Sequence, residues 1–96
     1  MMNGSVRDKP VVTTDSGIGH DGLYQVVLYN DDHNEEDYVV QCLIRIFGHG
    51  FQLARKIMWE AHTTGRTIAE VEGGDEARMH CSQLRAAGLG SEVEKI

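Results

Sequence analysis

The sequence predicts an α+β domain in which three helices pack against a three-stranded antiparallel sheet, in the order β-α-α-β-α-β. Three observations predict it: a β-prone segment near residue 23, three segments with apolar residues at helical spacing, and glycines where those segments end. A chain of 96 residues with 41% hydrophobic residues can bury one small core. We expect one folded domain over residues 23–96, preceded by a flexible extension over residues 1–22 that shows no periodicity.

The first strand is predicted over Leu23–Tyr29, where apolar residues fall on both faces, as in an inner strand. The segment 30–34, with sequence Asn-Asp-Asp-His-Asn, favours a turn because short polar side chains hydrogen-bond to their own backbone. Asn34 is expected to cap the first helix. Apolar residues at helical spacing continue that helix to Phe47, and Gly48 ends it.

The second helix is predicted over Phe51–Thr64, because an apolar stripe runs through it and Gly65 terminates it. A short strand over Thr67–Val71 follows, since this segment is rich in β-branched residues. The paired glycines at 73–74 indicate a turn after that strand.

A third helix is expected to begin after Asp75, which would cap it, and to end near Gly88. Its inward-facing residues are Ala77, Cys81 and Leu84. A last strand is predicted within residues 91–96, around Val93.

Charge and composition exclude several classes of function. The net charge is -6 and the lysines and arginines are scattered, so nucleic acid is a poor partner and a cationic amine or basic peptide a better one. No apolar run is long enough to span a bilayer, so no membrane role is expected. The cysteines, Cys42 and Cys81, fall among apolar neighbours and are expected to be buried and reduced, which fits a cytoplasmic protein.

Two features of the sequence could bind a ligand. Asn30, Asp31 and Asp32 stand where a strand passes to a helix, and they have two interpretations: a turn with a cap, or a cation-binding lip. An α-ammonium group with three N–H donors suits such a set of acceptors. His62 lies near a helix end, where a histidine is more often structural than ligand-binding. It gains a functional interpretation only if it faces Asn30 and Asp31.

Catalysis and metal binding are not favoured by the remaining motifs. The five histidines show no zinc-type spacing, and no serine occupies a G-x-S-x-G elbow. We therefore expect no enzyme activity, no metal and no cofactor. A small enzyme or metal protein that uses His62 with Asp31 is kept as a third hypothesis, to be tested by metal analysis.

These motifs together resemble one known family. The stretch Tyr24–Asn34, with sequence YQVVLYNDDHN, resembles the opening strand and loop of the ClpS family. Ile57–His62, with sequence IMWEAH, resembles its second helix, and Gln83–Leu89 resembles its third. The resemblance covers about residues 23–95, and it depends on the Asn-Asp-Asp turn combined with the Met-x-x-x-His helix.

The resemblance implies an adaptor of the N-degron pathway. Such adaptors bind proteins whose first residue is Leu, Phe, Tyr or Trp and deliver them to a Clp AAA+ unfoldase of the ClpA or ClpC type. By position, Asn30, Asp31 and His62 would hold the α-amino group of the substrate. The side-chain pocket would be formed by Asp32 (through its backbone), Asn34, Glu36, Met58, Ala61 and Leu89. Part of the unfoldase-docking surface is expected at Asp75, Arg78 and His80.

Glu36 departs from the family pattern, in which a methionine or another apolar residue screens the pocket mouth. Two consequences stay open: a carboxylate there would admit a first residue that the usual adaptor refuses, or it would favour a basic second residue. The same departure supports an alternative function, a regulator that docks on the unfoldase and changes its substrate choice without binding N-degrons.

Overall fold

The computed structural model describes residues 22–96, and its elements follow the predicted order, which confirms the α+β class. They are β1 Leu23–Tyr29, α1 Glu36–Phe47, α2 Phe51–Thr64, β2 Arg66–Gly73, α3 Gly74–Ala86 and β3 Ser91–Lys95. Apart from Gly22, the predicted N-terminal extension lies outside the described residues. Within the described part of the chain, no helix is long and apolar enough to cross a membrane.

The sheet has the strand order β2-β1-β3, and both pairings are antiparallel. The central position of β1 confirms the predicted inner strand, and its Val26, Val27 and Leu28 are almost completely buried. The register between β1 and β2 shifts at Val26 and Val27, where Ala69 is the extra residue of a bulge. The Nε2 atom of His49 lies 2.9 Å from the carbonyl oxygen of Ala69, so the imidazole donates a hydrogen bond to the backbone at the bulge.

The hydrophobic core lies between the sheet and the three helices. Burial of apolar side chains is the main force that holds such layers together. Each helix contributes one buried stripe, and Leu28 and Val26 contribute from the central strand. The helical core residues are Val39, Val40, Cys42, Leu43, Ala54, Ile57, Met58, Ala61, Ala77, Cys81 and Leu84. Both cysteines are free and buried, as predicted.

The predicted cap of α1 is wrong. Glu35 occupies the N-cap position and makes no side-chain cap hydrogen bond. The side chain of Asn34 instead donates to Asp31 at 2.7 Å and to the carbonyl oxygen of Gly88 at 3.2 Å. A hydrogen bond to a carboxylate is stronger than one to a neutral group, so these contacts orient the Asn34 side chain towards Asp31 and Gly88.

The start of α3 also differs from the prediction. Gly73 is its N-cap, and Asp75 lies in the first turn, where its charge suits the helix dipole. The glycines at 73–74 therefore join β2 directly to α3 and do not form a separate turn. β2 extends over Arg66–Gly73, beyond the predicted range, because β1 offers backbone partners along its whole length.

Candidate functional site

The end of β1 is joined to the end of α2 by backbone hydrogen bonds. The N–H of Asn30 donates to the carbonyl oxygen of Gly65 at 2.9 Å, and the N–H of Gly65 donates to that of Ala61 at 2.9 Å. Gly65 adopts a φ of 98°, which costs a glycine little and an L-residue with a side chain much more. This junction brings the loop after β1 beside the last turn of α2, which carries His62.

Asp31 organises that loop. Its Oδ1 accepts the backbone N–H groups of His33 at 2.7 Å and Asn34 at 2.9 Å, and its Oδ2 accepts the side-chain amide of Asn34 at 2.7 Å. Burial raises the pKa of Asp31, but these hydrogen bonds outweigh it and hold the pKa below the ordinary value for an aspartate. The group is therefore ionised at neutral pH and adds negative charge to the site.

Asn30 and Asp32 lie on the exposed side of the same loop. The Nδ2 atom of Asn30 donates to Asp32 Oδ1 at 3.2 Å. The side-chain oxygen of Asn30 accepts no hydrogen bond from the described residues, so it can accept one from a ligand.

A hollow opens between the loop, α1 and α2. Its wall is apolar on the inner side and polar at the rim, and it is lined by Leu28, Tyr29, Asn30, Asp31, Asn34, Glu36, Val39, Met58, Ala61 and His62. Its empty volume, counted to the open mouth, is about 270 Å³. Only about 20 Å³ of it can hold the centre of a water-sized sphere. That is room for roughly one water molecule, so a bulky side chain can enter only if side chains that line the hollow move.

His62 and Glu36 face each other at the rim. The Nε2 atom of His62 lies 3.9 Å from Glu36 Oε2, and both side chains are about half exposed, at 46% and 52%. The His62 ring also packs at a tilt against Trp59, with ring centroids 5.5 Å apart. The rim is thus formed by an imidazole from α2, a carboxylate from α1, and the amide and acid of the loop.

The structure brings most of the residues predicted for the site around this one hollow: Asn30, Asp31, Asn34, Glu36, Met58, Ala61 and His62. Asp32 lies outside it, on an open acidic surface next to the rim. Leu89 is 3% exposed in the core and does not line the hollow. The binding roles of all these residues stay predictions.

Leu28 and Tyr29 line the hollow and were not predicted as site residues. Leu28 was recognisable only as an inner-strand residue, because alternation along β1 assigns it to a face but does not identify what that face contacts. Tyr29 was readable only as the residue before the polar turn.

The three residues predicted for unfoldase docking do not form one exposed surface. Arg78 Nη2 pairs with Asp75 Oδ1 at 3.0 Å, and both side chains are exposed. His80 is largely buried, where its Nδ1 lies 2.6 Å from Glu72 Oε2 and its ring packs 4.7 Å from that of Phe47. The side chain of His80 is therefore packed inside the fold, whereas those of Asp75 and Arg78 on the same helix are exposed.

The acidic and imidazole groups are not arranged as a metal centre. Within residues 22–96, no group of three or more histidine, cysteine, aspartate or glutamate side chains is placed to hold a metal ion.

Comparisons with known proteins find the same fold and related sequences. A solved structure of Agrobacterium tumefaciens ClpS2 bound to L-phenylalaninamide has a similar fold, with a TM-score of 0.67 and 28% sequence identity. The match covers 77% of this chain and 96% of that one.

Two curated relatives are more similar in sequence. The ATP-dependent Clp protease adapter protein ClpS of Synechococcus elongatus is 38% identical, over 90% of both chains. The chloroplastic adapter protein CLPS1 of Arabidopsis thaliana is 38% identical over 95% of this chain. The chain spans 65% of the length of that chloroplast relative and 60% of the one from Chlamydomonas reinhardtii.

A family model described as the ATP-dependent Clp protease adaptor protein ClpS matches residues 20–92, which includes every element from β1 to α3 and the whole hollow. With a match of this extent and relatives at this identity, the chain belongs to the ClpS family of Clp protease adaptors.

Proposed function

We propose that this protein binds the bulky hydrophobic N-terminal residue of other proteins and delivers those proteins to a Clp AAA+ unfoldase for degradation. One observation carries the proposal: an apolar hollow whose rim is formed by the acceptors of Asn30, Asp31 and His62. An apolar cavity with a few convergent polar groups is the usual form of a small ligand site.

The rim provides acceptors for a free α-ammonium group. Asn30 supplies its amide oxygen, and Asp31 retains one lone-pair position after its three hydrogen bonds within the loop. His62, when neutral, offers an unprotonated ring nitrogen. Three acceptors match the three N–H groups of the ammonium, and acetylation of the amine would remove both its charge and two of its donors.

The inner wall selects the side chain. Met58, Ala61 and Leu28 present apolar groups, so Leu, Phe, Tyr or Trp would be favoured over polar first residues. Met58 is unbranched and adaptable, which allows the narrow hollow to widen around an aromatic ring. The structural neighbour from Agrobacterium tumefaciens is bound to L-phenylalaninamide, a molecule with a free α-amino group and an aromatic side chain, which supports this assignment.

Delivery requires a second surface that contacts an unfoldase of the ClpA or ClpC type. The names of the relatives support a Clp protease as the final destination of the substrate. Asp75 and Arg78 are accessible for such a contact, whereas His80 acts by holding α3 against β2. The cytoplasm is the proposed compartment, although two relatives are chloroplast proteins.

The experiment that tests the proposal uses immobilised peptides that begin with Leu, Phe, Tyr or Trp. They should retain the protein, and the same peptides with an acetylated amino group should not. If the free and the acetylated peptides retain the protein equally well, the protein does not recognise the free amine.

A second candidate function is an unfoldase-docking regulator that does not bind N-degrons. The narrowness of the hollow and the contact between Glu36 and His62 across its rim favour it. It predicts binding to the unfoldase with no affinity for any free N-terminus.

A further inference from the structure

Glu36 is the carboxylate at the rim of the hollow that has the fewest hydrogen-bond and ion-pair partners. Among the described residues, its one ion-pair or hydrogen-bond contact is with His62, at 3.9 Å. It extends from the first turn of α1, lines the hollow, and is about half exposed. No lysine or arginine within residues 22–96 lines the hollow to neutralise it.

The carboxylate of Asp31, by comparison, already accepts hydrogen bonds from its own loop. Three of the four lone-pair positions of its carboxylate accept hydrogen bonds from His33 and Asn34. Its charge is therefore shared among donors of its own loop, and a ligand can use only the one remaining position. Of the two carboxylates that the described part of the chain places around the hollow, Glu36 is the one whose oxygens can accept from a cation.

The distance between Glu36 and His62 suits a bridging ammonium. Two acceptors 3.9 Å apart can both bind one nitrogen that lies about 2.9 Å from each, which is a normal hydrogen-bond distance. At that position the two acceptors subtend an angle of roughly 85° at the nitrogen, within reach of two N–H bonds of one ammonium group.

We propose that Glu36 supplies the main counter-charge for the α-ammonium group of the substrate, which it binds jointly with His62, while Asp31 chiefly shapes the loop. This inference rests on the proposed function. It moves Glu36 from the side-chain pocket, where the family resemblance assigned it, to the amine site. The family's usual apolar residue at this position cannot take that role, so the inference concerns this chain in particular.

The test measures the affinity of L-phenylalaninamide and of its N-acetyl derivative by calorimetry, for the whole protein and its variants. Glu36→Gln keeps the size of the side chain and removes the charge. It should weaken binding of the free amine by about tenfold at low salt, since hydrogen bonds to charged partners are the strong ones. The loss should shrink at about 1 M salt, because the Debye length is then only about 3 Å.

The matched control is Glu35→Gln, which removes the same charge from the adjacent residue, one that does not line the hollow. It should change the affinity by less than about twofold. Thermal melting of both variants checks that the fold is retained. An affinity of Glu36→Gln that equals or exceeds that of the unchanged protein overturns the inference, since Glu36 would then be neutral or would compete with the ligand for His62.

A double-variant cycle separates direct binding from an effect through His62. If Glu36 contacts the ammonium, Glu36→Gln weakens binding in the His62→Ala background as well. If its effect disappears in that background, Glu36 only orients the imidazole and the inference is wrong.

Failure of the inference differs from failure of the proposed function. A protein that binds L-phenylalaninamide but not the acetylated form, with Glu36→Gln unchanged, contradicts the inference alone. A protein that binds neither compound contradicts both.

Discussion

The backbone N–H of Asn30 donates to the carbonyl oxygen of Gly65 across 2.9 Å, and this hydrogen bond fixes the loop after the central strand to the end of α2. The two residues are far apart in sequence, yet the geometry of the candidate amine site depends on their contact. His62 reaches the rim because α2 ends where it does, and Gly65 permits that end by adopting a positive φ.

Gly65→Ala should therefore destabilise the protein by about 1–2 kcal/mol, because an L-residue is strained at this backbone conformation even though the space around it is open. Chemical denaturation measures the loss. Gly50→Ala is the control, since Gly50 has a φ of -69° and equally open surroundings. Its cost should be smaller and limited to a weaker helix cap. Equal losses for the two variants would show that the positive φ of Gly65 carries no special cost.

His62→Ala should weaken the affinity for L-phenylalaninamide by about 1–3 kcal/mol while leaving the unfolding free energy nearly unchanged, because the side chain is half exposed. His33→Ala is the matched control. The hydrogen bond from His33 to Asp31 comes from its backbone N–H, which the substitution leaves in place, and His33 does not line the hollow. If both variants bind equally well, His62 does not contact the amine.

Met58→Ala should change both the stability of the protein and its preference for the first residue of a bound peptide. Met58 is buried to 3% exposure and lines the hollow, so its removal should cost about 2–5 kcal/mol and enlarge the space for the ligand. Affinity should then shift from peptides that begin with Phe towards those that begin with Trp. Ile57→Ala, the next residue on α2, is buried to 4% exposure but faces the groove between α2 and β2. It should lower stability without changing the preference for the first residue. If the preference changes in both variants, the hollow does not determine it.

Asp31 should contribute stability that depends on pH. Its pKa is held below the ordinary value in the folded state, so the folded protein binds this proton less tightly than the unfolded chain does. The contribution is complete above the unfolded pKa, about 4, and is lost as the pH falls through the lower folded pKa. Urea unfolding of the unchanged protein and of Asp31→Asn should differ near about pH 7 and converge near about pH 2. A difference that is constant over this range would contradict the charge-based explanation.

His80→Ala should lower the unfolding free energy by about 1–3 kcal/mol, because it leaves the largely buried carboxylate of Glu72 without its hydrogen-bond partner. Arg78→Ala removes an exposed side chain of the same helix and should cost about 1 kcal/mol or less. If docking on the unfoldase involves this helix, Arg78→Ala should weaken docking with no more than this small loss of stability. Equal stability of the two variants would contradict a structural role for His80.

The sequence predicted the fold well where local signals dominate. The bounds of α2 agree with the prediction because Gly50 and Gly65 flank an uninterrupted apolar stripe. The N-cap of α1 could not be predicted, since the choice of Asn34 between the helix and Asp31 depends on where the carboxylate lies in space. The full length of β2 was missed because Glu72 and Gly73 have low strand propensity, and their strand conformation comes from pairing with β1.

The site could be predicted only in part, because its geometry depends on contacts between elements that are distant in the sequence. Residue types and the family resemblance suggested Asn30, Asp31 and His62, but only the three-dimensional structure brings them to one rim. The approach of Glu36 to His62 is a contact between two helices, and no spacing in the sequence encodes it.

Leu28, Met58 and Ala61 belong to the core that holds the helices on the sheet and also form the inner wall of the hollow. A ligand side chain that enters the hollow therefore packs directly against residues of the hydrophobic core. Occupancy should raise the melting temperature by mass action, with a gain of about 2.7 kcal/mol when the free ligand is a hundredfold above its dissociation constant. Thermal melting can therefore rank N-terminal residues without any label on the peptide or the protein.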